Sequence, residues 1–302
     1  MIETEIIRIL EQAGPLTGAE LAERTRLEVF ALWRACKKAP AIRLDTVGRR
    51  FLRLDRVVSG YARLSPSIRR EFLTYTLAGL EGRSGELSAR AKSLGEDIRA
   101  ISRAKLELAR ESVSSAMETL RGWDAIRGRV CFIIAGDITY EMSHLVPRPE
   151  KSTGEFVRGS DLDIIVITED GLPDDEGRLL DQAIYRKKYF LLVHPDYREE
   201  IDYLVKDISR VREQLRFDTF ESMVACKILD EGMFLYGSQE LFEQVKRLVA
   251  ESGIPERLSG MQAKAIENRE SALARLLELE GNLSEREAYH LFYTREESEE
   301  IY

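Results

Sequence analysis

Two short runs constrain this chain more than anything else in it. Residues 129–137 read RVCFIIAGD and residues 159–168 read GSDLDIIVIT, with six and four consecutive apolar residues respectively beside a glycine and an acid. Such runs are too short for buried helices and have no polar face, so they read as strands covered on both sides. Residues 199–205, EEIDYLV, give a third strand with an acid in its middle. With amphipathic helical stretches on either side, the expected fold class is α+β. The 302 residues, 44% hydrophobic and 32% charged, exclude a disordered or fibrous chain and suggest roughly two domains.

The acids at the strand ends carry the candidate chemistry. A strand projects alternate side chains to one face, so Asp161 and Asp163 are expected to point the same way. Asp202, from a neighbouring strand, would complete a three-carboxylate cluster. Mg²⁺ takes hard oxygen ligands and keeps substrate phosphate in its shell, so convergent carboxylates suit one or two ions held against a nucleoside triphosphate.

These residues resemble the DNA polymerase beta-like nucleotidyltransferase superfamily, whose pattern is a strand, a Gly turn on a helix, an Asp-x-Asp pair on the next strand and a third acid later. The matching pieces are Ala135, Gly136 and Asp137 for the turn, GSDLDIIV for the pair and EIDYLV for the third acid; the later segment ACKILDEGMFLYGSQELFEQVKRL is also similar. The resemblance covers roughly residues 123–250. It implies Asp161 and Asp163 as ligands of catalytic Mg²⁺ and Asp202 as the third acid, which aligns a metal and assists deprotonation of the attacking hydroxyl, with Glu200 on the same strand face as backup. It further implies that Gly136, Asp137, Arg158, Gly159 and Ser160 border the triphosphate. Two departures stand out: Asp137 replaces the family's small hydroxyl or Gly, and YEMSHLVPRPEKSTGEFVR inserts a long interval before Asp161. No His or Cys has the spacing of a metal site, and His144, in the insertion, reads as a surface-loop residue.

The front of the chain has a different character. Ile6, Ile7, Ile9 and Leu10 mark a short amphipathic helix that stops at Gly14 and Pro15; Thr17 caps a second, and Leu27 to Lys38 suits a third. Pro40 ends helix formation, and the apolar residues around Val47, Gly48 and Arg49 predict a two-stranded hairpin. This order resembles a winged helix-turn-helix domain over about the first 58 residues. The resemblance implies DNA contact through Arg34, Lys37 and Lys38 on the third helix and Arg49, Arg50 and Arg53 in the wing. From Arg24 to Arg56 there are ten basic and three acidic residues. Residues 1–121 carry net +6, which leaves −14 for the remainder of a chain whose total is −8.

Residues 66–121 read as helical, with a break at Gly82 to Gly85. After the break an apolar stripe, Leu87, Ala91, Leu94, Ile98, Ile101 and Leu108, is interrupted by Lys105. It suits either an intramolecular connecting helix or the coiled coil of a homodimer. The expected organisation is a winged helix over 1–60, a helical connector over 61–122, a nucleotidyltransferase-like domain over 123–250 and C-terminal helices over 251–302. Three distant cysteines, no apolar span of membrane length and no signal-peptide layout predict a cytoplasmic protein without membrane contact. Function is expected to be Mg²⁺-dependent transfer of a nucleoside monophosphate from a triphosphate to a hydroxyl acceptor; the alternative is a DNA-binding regulator whose transferase-like domain only senses a nucleotide.

Overall fold

The computed structural model describes residues 2–55, 62–150, 153–279, 281, 283–294 and 297. Arg56, at the end of the basic stretch, and Lys151 and Ser152 of the insertion lie outside the described residues. The chain is mixed α and β and divides into two compact units, residues 1–98 with 261–302, and residues 99–260.

The first unit begins with α1 (Ile2–Ala13), β1 (Leu16–Thr17), α2 (Gly18–Thr25) and α3 (Val29–Lys38). The expected cap on α2 is present as a reciprocal box: Glu20 N donates to Thr17 Oγ1 at 3.2 Å, and Thr17 N donates to Glu20 Oε2 at 2.6 Å. After Pro40 come β2 (Ile42–Thr46), β3 (Phe51–Leu54), β4 (Ala62–Ser65), the single turn α4 (Ile68–Arg70), which runs on as a π-turn over Glu71–Tyr75, and β5 (Thr76–Leu80). The predicted hairpin of β2 with β3 does not form. β5 lies between β1 and β2, antiparallel to both, with Ile42 opposite Leu80 and Thr46 opposite Thr76, while β3 pairs with β4. Residues 76–80 therefore form a strand inside a stretch expected to be helical. Five mostly apolar residues fit either state, and the choice falls on a strand because β1 and β2 both present edges to it.

The long helix α5 (Ser84–Glu118) starts where the break was expected, after a short 3-10 turn at Glu81–Arg83. The second unit then contains α6 (Trp123–Ile126), β6 (Val130–Ile134), β7 (Pro147–Pro149), β8 (Phe156–Arg158), β9 (Leu162–Thr168), α7 (Asp174–Val193), β10 (Ile201–Asp207), α8 (Ile208–Gln214), α9 (Phe220–Glu231), β11 (Met233–Gly237) and α10 (Gln239–Glu251). The sheet order is β10-β9-β6-β11, with β9 and β10 parallel and β6 antiparallel to both β9 and β11. As expected, β6 and β9 are buried on both faces. Phe132, Ile134, Ile164 and Val166 join a core with Leu180 and Ile184 of α7, and the alternate residues Cys131, Ile133, Ile165 and Ile167 are buried too.

The chain closes with α11 (Ile254–Glu278) and the turn α12 (Glu285–Glu287). The C-terminal residues are not a separate appendage: Leu276 and Phe292 belong to the core of the first unit, where the Phe292 ring lies 5.4 Å from Phe30 and 5.6 Å from Trp33. Residues of the expected connector and C-terminal segments, among them Ile68, Phe72, Leu276 and Phe292, share a core with the N-terminal helices. No helix among the described residues is long and apolar enough to cross a membrane.

Candidate functional site

Parallel pairing of β9 with β10 sets Asp163 directly opposite Asp202. Directly paired residues on neighbouring strands project to the same face, so the two carboxylates share one side of the sheet. Beside them, Ala135 N donates to the Asp163 carbonyl at 2.9 Å and leads into the 3-10 turn Gly136–Tyr140. Gly136 has φ +70°, and a Cβ there would stand 2.0 Å from Asp163 Oδ2. The space beside this glycine therefore holds the Asp163 carboxyl, whereas the sequence suggested an opening for triphosphate. Gly136→Ala combines a strained backbone with overpacking; we expect it to cost about 2–4 kcal/mol in urea unfolding and to displace Asp163. A cost below about 0.5 kcal/mol would contradict this packing.

Asp163 sits in a crowd of like charge. Burial, then the charges of Asp137, Asp202 and Glu231, push its pKa up to about 7, and Lys227 opposes them. Asp137 accepts from Ser160 Oγ at 2.8 Å, so it is held by the turn before the acid pair. Ser160 is held in turn by His144, whose N donates to Ser160 Oγ at 3.2 Å and whose carbonyl accepts from Ser160 N at 3.1 Å. His144 is buried, contrary to its reading as a surface-loop residue. The same carbonyl fixes Gly159, where an added Cβ would lie 1.8 Å from it.

Asp161 takes a different course. It precedes the first residue of β9, so strand alternation does not bind it to the side that Asp163 takes. It forms an ion pair with Arg148, which also holds Glu200 at 2.9 Å and donates to the Gly159 carbonyl at 3.2 Å. Arg148 lies on β7, half of a two-stranded ribbon with β8. Asp163 and Asp202 are thus paired across neighbouring strands, while Asp161 and Glu200 are partners of Arg148. Among the described residues, no group of three or more Asp, Glu, His or Cys side chains is arranged to hold a metal ion. Arg158 is exposed and donates to the Asp196 carbonyl at 3.2 Å.

Four functional candidates were not singled out from sequence. Glu231, at the end of α9, is paired with Lys227 one helical turn earlier and accepts from Tyr140 Oη; the i,i+4 spacing of Lys227 and Glu231 was the available signal. Arg148 carried no signal beyond its place in the insertion. Lys105, 3% exposed on α5, donates to the carbonyls of Arg158 and Ser160, both at 2.8 Å, and to Glu199 Oε2 at 2.5 Å. A lysine interrupting an otherwise apolar helical stripe was its signal.

The six basic residues singled out in the front unit also divide. Lys37 and Lys38 are exposed in the last turn of α3, and Arg49 is exposed. Arg34 donates to the carbonyls of Leu279 at 2.7 Å and Gly281 at 3.1 Å. Arg50 is bonded to Glu71 at 2.8 Å, and the charge of Arg53 acts on the buried Glu297 carboxylate. Comparison of the chain with protein-family models, with curated proteins and with solved structures finds no match.

Proposed function

We propose that residues 99–260 form a Mg²⁺-dependent nucleotidyltransferase of the polymerase beta-like type, which moves a nucleoside monophosphate from a triphosphate to a hydroxyl acceptor. The observation that carries the reading is the pairing of Asp163 with Asp202 beside the Gly136 turn. The residues fit the ion by donor chemistry. Mg²⁺ in such sites is bound through one or two carboxylates, with substrate phosphates and water supplying the remaining ligands, and the crowding of negative charge around Asp163 favours a cation there. Asp163 and Asp202 would hold it. When bound, the ion supplies charge neutralisation for the triphosphate.

The chain's own residues do the rest. The exposure of Asp202 supports its carboxylate as the group that would orient an acceptor hydroxyl and receive its proton. Ser160 and Gly136 hold Asp137 and Asp163 in place. Arg148 neutralises Asp161, which takes no part as a ligand while that pair is made. Incubating the full chain with labelled triphosphates and Mg²⁺ tests the proposal. Label transfer, with metal-dependent triphosphate binding, is the expected result; absence of both removes the reading.

The Arg148–Asp161 pair favours one alternative, a DNA-binding regulator in which the same face binds a nucleotide without turnover. Triphosphate binding with no transfer would select it. In either case DNA contact through a winged-helix-like front unit rests first on the exposed Lys37, Lys38 and Arg49, since Arg34 and Arg50 are engaged within the protein, and the contribution of α3 is that of the two lysines. Replacing both lysines by Ala should weaken binding evenly across DNA sequences and reduce the salt slope of log K by about 2 in gel-shift titrations. An unchanged slope would remove α3 as the contacting element.

A further inference from the structure

The first unit contains a cavity of about 310 Å³ that the proposed activity does not use. Its wall includes three arginines, Arg63, Arg269 and Arg275, together with Asn268, Ala272 and Leu291, and no acid among the described residues. The arginines have nearby acids, but not one each in the interior. Glu71 takes Arg50 at 2.8 Å and Arg269 at 3.1 Å, so two guanidinium groups share one carboxylate. Arg63, with a side chain 10% exposed, is paired with Asp55 at 3.0 Å. Arg275, 61% exposed at the rim, is paired with Glu287 at 2.8 Å.

Arg269 is the least satisfied of them. It is 8% exposed, and one Nη donates to the Pro66 carbonyl at 3.0 Å. Its Nε is buried with no hydrogen-bond partner among the described residues. A buried, unpaired guanidinium N–H is costly unless something accepts from it. Burial depresses the Arg269 pKa, and the positive charges of Arg50 and Arg63 add to that depression while Glu71 opposes it. The wall therefore combines three guanidinium groups, an unmet donor and apolar surface, and its volume is at the small end of ligand pockets.

We propose that this cavity binds a small organic anion, a single carboxylate or phosphate on a compact apolar body. The anionic head would be met by the arginines, the geometry at which guanidinium forms its strongest hydrogen bonds. The apolar body would lie against Ala272 and Leu291. The site is separate from the proposed transferase site, and neither reading depends on the other.

Fluorine NMR line broadening on the full chain tests it with three probes of similar size: 4-fluorophenylacetate, 4-fluorophenyl phosphate and the cation 4-fluorobenzylammonium. At least one anion should broaden and the cation should not; broadening by the phosphate ester alone or the carboxylate alone tells which head group the site takes. Ala272→Trp, which fills the cavity, should weaken anion binding by at least ~10-fold. Arg275→Gln should weaken it ~5- to 10-fold. Because Arg275 is exposed, this second variant decides the matter if the first fails to fold by circular dichroism. Equal broadening by all three probes, no broadening by either anion, or wild-type anion affinity in the folded variants would overturn the proposal.

Discussion

Asp163→Asn is expected to reduce label transfer by roughly 10³-fold or more and, in metal-free buffer, to make the protein more stable. The two effects have one cause. The Asp163 carboxyl is held near pKa 7, against an ordinary value of 3.8, by burial and by the charges of Asp137, Asp202 and Glu231. Between about pH 4 and pH 7 the native protein keeps a proton on this group that the unfolded chain has released. The native state binds more protons there, so stability falls as pH rises through that window and levels off above it. At pH 8 the ionised carboxylate costs up to ~4 kcal/mol, and the neutral amide removes most of that cost while keeping the shape of the side chain. Urea unfolding at pH 5 and pH 8 in EDTA reads the difference: wild type should lose stability between them, and the Asn variant should lose less. Added Mg²⁺ should raise the wild-type midpoint and leave that of the variant nearly unchanged. A variant less stable than wild type at pH 8 would show that charge crowding does not govern this position, and transfer at the wild-type rate would remove Asp163 from the proposed metal site.

Much of this arrangement was legible because buried strands leave a strong signature. The apolar runs of β6 and β9 have no polar face, and once β10 lies parallel to β9 the alternation of side chains brings Asp202 beside Asp163. Asp161 stands one residue before the strand and pairs with Arg148, which alternation alone does not reveal. Its partner Arg148 comes from an insertion whose own pairing, β7 with β8, leaves no periodic trace in three-residue strands. In the front unit, the three helices and the Thr17 cap depend on local signals and were found. The partner of β2 was not found, because β5 returns after about thirty residues and loop length adds only slowly to the cost of closure. The C-terminal helices showed that they had an apolar face. Only packing could show that Phe292 lies against both Phe30 and Trp33.

Lys105→Met should be among the most destabilising single changes in the second unit, at about 3–5 kcal/mol in urea unfolding. The Lys105 ammonium has three N–H groups and three acceptors, the carbonyls of Arg158 and Ser160 and the Glu199 carboxylate. The first two lie just before β9 and the third just before β10, so one side chain fastens the entries of the two strands that carry Asp163 and Asp202. Burial alone disfavours both charges: it lowers the Lys105 pKa and raises that of Glu199, and their mutual attraction offsets this only in part. Methionine fills much the same space but leaves Glu199, with a side chain 8% exposed, as an unpaired buried acid beside two unmet carbonyls. Adding Glu199→Gln to Lys105→Met should therefore recover about 1–2 kcal/mol, a coupling that a double-mutant cycle reads directly. Lys105→Arg should not substitute, because a planar fork needs more room than a 3% exposed site offers and directs its donors differently. If the single substitution cost less than about 1 kcal/mol, or the second change recovered nothing, the strand entries would have to be held by other contacts, and the placement of Asp163 beside Asp202 would not depend on this lysine.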